Sequence, residues 1–143
     1  MVTISDTKDD LKKKILNEMT VDYGNTLEKN FNKAKLFIRI SKDGLVDVLV
    51  KEKVTGPQQI QLYLIGKLYA VQAELAESYD VGNRELMDQL GIPEGSLLPW
   101  LKELRDKNKI RHVRKERNVF HSMPINLLQD TLEDIEIRVR KKS

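Results

Sequence analysis

The chain contains no cysteine. That excludes disulfides and thiolate chemistry, and it fits a reducing compartment. Long apolar runs are also missing. Nothing approaches the ~20 residues of a membrane-spanning helix, and the opening MVTISDTKDDLKKK has no apolar signal core. The sequence therefore reads as soluble and cytoplasmic. It holds no Gly-rich phosphate loop, no nucleophile–base pair and no helical His-Glu-His spacing, so it is expected to be non-enzymatic and to carry no cofactor. Only two histidines occur, His112 and His121. They are expected to face each other across a hairpin, but two histidines without a third ligand make a poor zinc site, and no metal is expected. Charge of one sign is lacking too. With 25 basic against 22 acidic residues the net charge is +3, too small for composition alone to establish a nucleic-acid partner. What is present is 40% hydrophobic and 33% charged residues in 143, the balance of one compact domain or a small domain with an added element.

The charge is unevenly placed. Residues 58–104 carry 3 basic and 7 acidic side chains, whereas residues 105–121 carry 7 basic and 2 acidic. One short segment concentrates the positive charge, and it is the electrostatic feature to explain.

Local signals divide the chain into three parts. In residues 1–56, Thr7 is expected to cap a first helix with the apolar stripe Leu11, Ile15, Leu16 and Met19, and DYGN to break it. Thr26 is expected to cap a second helix bearing Leu27, Phe31 and Ala34. Two β-rich runs then flank Asp43-Gly44, a hairpin signal. Gly56-Pro57 ends this extension and starts a long helix to about Tyr79. Ile60, Leu64, Leu68, Val71 and Leu75 mark one apolar face, and Leu62, Ile65, Tyr69 and Ala76 a second. A helix apolar over so much of its circumference must be covered on more than one side, by the chain's own core or by a second copy.

Residues 57–123 continue as NRELMDQLGIPEGSLLPWLKELRDKNKIRHVRKERNVFHSM. Asn83 is expected to cap a short helix with Leu86, Met87 and Leu90 inward. Gly91-Ile92 forms a corner, and Ser96 is expected to cap a second helix with Leu97, Leu101 and Leu104 inward. Asn108 suits a left-handed exit. A two-stranded hairpin follows, turning at Glu116-Arg117. In residues 124–143, Pro124 opens an amphipathic helix through Ile125, Leu128, Leu132 and Ile135, ending in a frayed RVRKKS.

Helix, turn, helix and basic hairpin in this order resemble the winged helix-turn-helix domains of bacterial and archaeal transcriptional regulators, over residues 58–122. The resemblance implies a winged helix-turn-helix fold for that stretch. With the N-terminal helix and β-hairpin extension and the C-terminal amphipathic helix read from the residues, the expected fold is α+β and mainly helical, residues 1–56 matching no family. The resemblance also implies duplex DNA as partner, with the second helix in the major groove and the hairpin as a wing. The groove-facing positions are then Glu94, Gly95, Ser96, Leu98, Pro99, Trp100 and Lys102. Only Ser96 and Lys102 resemble base-reading side chains. The cations Arg105, Lys109, Arg111, Arg114, Lys115 and Arg117 are expected to contact phosphates. The expected function is a transcriptional regulator that grips DNA through its wing and reads bases weakly. The alternative is a protein-interaction winged helix that docks a partner on Leu98, Pro99 and Trp100, with Trp100 the more buried of these. A ligand sensor with a site between the long helix and the hairpin extension is a third possibility. A homodimer through the 57–79 and 124–136 helices matches paired half-sites on DNA.

Overall fold

A computed structural model describes residues 4–19 and 23–142, and its fold is α+β. Among them α1 (Ile4–Lys14) runs into a π-helical turn at Ile15–Met19, followed by α2 (Tyr23–Lys29) and α3 (Phe31–Ala34). The hairpin β1 (Ile38–Ile40) and β2 (Val46–Val48) precedes α4 (Gly56–Gln72). Then come β3 (Val81–Gly82), α5 (Asn83–Leu90), α6 (Glu94–Asp106), β4 (Arg111–Lys115), β5 (Asn118–Ser122) and α7 (Leu128–Lys141). β1 and β2 pair antiparallel across Asp43-Gly44, as the turn signal predicts, and β3-β5-β4 form a second antiparallel sheet.

The centre of the molecule is α4. Its start is fixed by a capping box: Thr55 Oγ1 accepts from the Gln58 amide at 3.2 Å, and Gln58 Oε1 accepts from the Thr55 amide at 3.1 Å. Pro57 stands in the first turn, where its missing N–H costs nothing. Every residue from Ile60 to Leu68 is buried. Leu27, Phe37, Ile38, Val46 and Val48 of the N-terminal extension belong to the same contiguous core as Leu86, Leu97, Leu101, Leu128, Leu132 and Ile135. Both apolar faces of α4 are thus covered by its own chain, and so are the inward residues of α7. The apolar residues from which pairing of two copies was expected are thus engaged within one chain, while Ile137 of α7 is exposed.

Two glycines let neighbours approach α4 at van der Waals distance. A Cβ on Gly66 would lie 2.4 Å from Val46 Cγ1, so β2 rests directly on the helix backbone. A Cβ on Gly56 would lie 2.4 Å from the Trp100 ring, which packs there from α6. A polar cluster joins the same elements. Lys67 Nζ, buried, donates to the Gly44 carbonyl at 3.0 Å and pairs with Glu85 at 3.2 Å. Glu85 also accepts from the Tyr63 hydroxyl, and burial beside that carboxylate drives the phenol's pKa upward. Tyr69 donates to the Leu27 carbonyl at 2.7 Å, and burial pushes its pKa up to about 12.

Several helix ends differ from expectation. α4 stops at Gln72, not Tyr79, because Glu74 is left-handed (φ 61) and the Leu75 amide turns back to the Ala70 carbonyl at 2.8 Å. Thr7 lies inside α1 and Thr26 inside α2 instead of capping them; of the expected DYGN break, Tyr23, Gly24 and Asn25 form the first turn of α2, and Asp22 falls outside the described residues. Leu27 and Phe31 fall on separate helices, leaving Phe31 exposed. The N-cap of α5 is Gly82, and Asn83 is freed to bond His121. α6 begins at Glu94 behind Pro93, whose extended backbone stops any earlier turn, so Ser96 is not the cap. Pro124 opens a 3-10 turn, Ile125–Leu127, before α7 begins. α7 then stays helical to Lys141, through most of the end expected to fray. The stripe Leu11, Ile15, Leu16 and Met19 is exposed.

Candidate nucleic-acid interface

α5 and α6 meet at the corner expected at Gly91, which is left-handed (φ 68) and caps α5. Leu97, Leu101 and Leu104 turn inward, fixing which side of α6 meets solvent. That side carries Glu94, Gly95, Leu98, Pro99, Lys102, Glu103 and Asp106. Leu98 is 46% exposed, whereas Trp100 is half-buried against Gly56 and the core, the order expected for the pair. Ser96 is half-buried in the first turn. Pro99 sits in the second turn, where its missing N–H removes a bond that the helix would otherwise make.

Lys102 is already committed: its ammonium lies 2.8 Å from Asp106, and that bond holds the Asp106 carboxyl below its usual pKa. Glu103 likewise takes Lys107 at 3.1 Å. The exposed side of α6 is therefore apolar and acidic, where a base-reading helix presents free donors.

Asn108, left-handed (φ 55), ends the helix as expected and sends the chain into β4. The register places His112 opposite His121 and Lys115 opposite Asn118, so the turn is Glu116-Arg117. Glu116 holds the positive φ (58) that a two-residue hairpin turn demands. All five residues of β4 are exposed. Because side chains alternate along a strand, the cations separate. Arg111 and Lys115 share one face, and Arg114 shares the other with His112 and His121. Lys115 is tethered, with Asp80 at 2.8 Å and the Phe120 ring centroid at 5.6 Å. Arg105 is half-buried towards His121. Lys109, Arg111, Arg114 and Arg117 are exposed and have no ion-pair partner among the described residues.

The chain matches no protein-family model, no curated protein and no solved structure.

Beneath the hairpin, His121 is 1% exposed, and its Nε2 lies 2.7 Å from Asn83 Oδ1. Burial, then Arg105, then His112 lower its pKa to about 4, so the ring is neutral at pH 7. Among the described residues no third His, Cys, Asp or Glu joins the pair as a metal cluster. No described helix is long and apolar enough to cross a membrane. Sequence reasoning missed Asp80 and Asn83 as supports of the hairpin, since neither lies in a local pattern. The hairpin register does bring Phe120 beside Lys115. Between the long helix and the extension's hairpin, Phe31, Ala34, Ile38, Ile40, Tyr69 and Ala73 line a shallow apolar groove of about 450 Å³.

Proposed function

We propose that residues 56–122 form a winged helix-turn-helix unit and that the protein is a non-enzymatic DNA-binding protein acting in transcriptional control. The order α4, β3, α5, α6, β4, β5, with β5 between β3 and β4, supports the fold assignment. The observation that carries the function is the projecting wing, with free cations at Lys109, Arg111, Arg114 and Arg117. Such groups gain affinity by displacing counterions from the phosphate backbone. Lys115 positions the wing through Asp80. Weak base readout follows from the exposed side of α6, where Lys102 is paired and Ser96 is half-buried.

Electrophoretic titration on mixed duplex DNA at two salt concentrations tests this. Replacing Arg111, Arg114 and Arg117 with Ala is expected to weaken binding on every sequence and to flatten the salt dependence by roughly three counterions. Equal affinity and slope in the variant remove the wing from the mechanism.

The second reading is a protein-docking surface, favoured by the exposure of Leu98 beside Pro99. Trp100 contributes less to it than its position suggests, because its ring is engaged with Gly56. A Leu98→Asp variant that binds DNA normally while losing a protein partner would install this reading.

A further inference from the structure

A second cleft lies on the other side of α6, where the start of α4, the last turns of α6 and the start of α7 converge. Its volume is about 570 Å³, within the range of small-molecule sites. Trp100 lines it, and so does Gln61, which projects from the middle of the central helix. Gln61 is 5% exposed, and its carboxamide makes no hydrogen bond among the described residues. The amide therefore opens onto the cleft, where it stands as an unused donor and acceptor.

The charged lining, Glu103, Asp130 and Asp134 against Lys107 and Lys109, is acidic by one charge. Lys107 is neutralised by Glu103. Asp130 and Asp134, one helical turn apart on α7, line the same cleft with no ion-pair partner among the described residues. Like charges at this spacing repel one another unless a cation sits between them. The single ammonium left is Lys109, which also lines the cleft. An aromatic ring, an unpartnered amide and two free carboxylates make the chemistry of an amine- or guanidinium-recognition site.

We propose that this cleft binds a small organic cation, a primary amine or guanidinium on a short aliphatic body. Its charge sits between Asp130 and Asp134, its body lies along Trp100, and Gln61 bonds its polar end. The site is independent of the DNA-binding proposal, although Lys109 is common to both surfaces, so an occupied cleft has a route to the wing.

Trp100 is the one tryptophan in the chain, which makes its fluorescence a direct reporter. With agmatine as the probe and no DNA present, the full chain is expected to show a saturable change in Trp100 emission at constant ionic strength. Asp130→Asn with Asp134→Asn is expected to weaken the apparent affinity by about tenfold or more, as is Gln61→Leu, while the wing variant is unaffected. Both aspartates are exposed, so the double variant keeps the fold, and its melting temperature confirms that. Glutarate, an anion of similar length, is expected to give no response. No saturable response to agmatine up to about 10 mM, or an equal response in the aspartate double variant, overturns the proposal.

Discussion

His121 shows what one buried side chain contributes to a hairpin that otherwise lies in solvent. Asn83 Oδ1 has only lone pairs, so Nε2 carries the hydrogen between them, and Nδ1 is left buried without a partner. Protonating Nδ1 adds charge to a sealed site that already faces Arg105 from α6 and His112 from β4. The folded ring therefore resists protonation down to about pH 4, while in the unfolded chain it takes its proton near 6.5. The contribution is complete above pH 6.5 and is lost as pH falls towards 4. It amounts to about 3 kcal/mol over that window. Urea unfolding at several pH values should show this loss in the native chain and a shallower one in His121→Gln. Parallel pH profiles for the two proteins would assign the acid sensitivity to other groups.

Among the elements, α4 is where contacts distant in sequence meet, and Gly66 is its most constrained point. In an exposed helix Gly→Ala stabilises by up to about 1 kcal/mol. Here the added methyl meets Val46 at 2.4 Å, so β2 must move off the helix, and Gly66→Ala is expected to cost about 1–3 kcal/mol instead. Val46→Ala in the same chain makes room and recovers part of that loss. A denaturation midpoint for Gly66→Ala at or above that of the native protein shows that the hairpin is not seated as described. This contact also marks the limit of what the amino-acid order reveals. The β1–β2 turn, the corner at Gly91, the exit at Asn108 and the β4–β5 register were all legible, because each depends on residues within a few positions of one another. The end of α4 was not, since a left-handed Glu74 has no sequence signature of its own. Nor was the burial of Lys67, whose partners Gly44 and Glu85 lie 23 and 18 positions away. The candidate interface divided in the same way. The exposure of the wing cations follows from the hairpin pattern, but the capture of Lys115 by Asp80, 35 positions earlier, depends on the assembled sheet.

At the scale of the whole molecule, charge is segregated: the segment from Arg105 to His121 is strongly basic, while residues 58–104 are acidic. Under the proposed function, the field of such a molecule turns the β4–β5 hairpin towards a polyanion and the exposed side of α6 away from it. Glu94 on that side discourages close approach to phosphates, Glu103 and Asp106 hold Lys107 and Lys102 in ion pairs, and Leu98 and Pro99 offer bases only apolar contact. Phosphate contacts set register and affinity without carrying sequence information. Sequence-specific regulators typically prefer their sites over random duplex by about 10³-fold or more. This protein is expected to discriminate by less than about tenfold at moderate salt, with any preference confined to groove shape beside the wing tip. Selection from a randomised duplex pool, followed by direct titration of the enriched and unenriched sequences, measures the ratio. Recovery of a motif preferred by more than about a hundredfold would mean that α6 reads bases through Ser96 and Lys102 after all, with Lys102 released from Asp106 on binding.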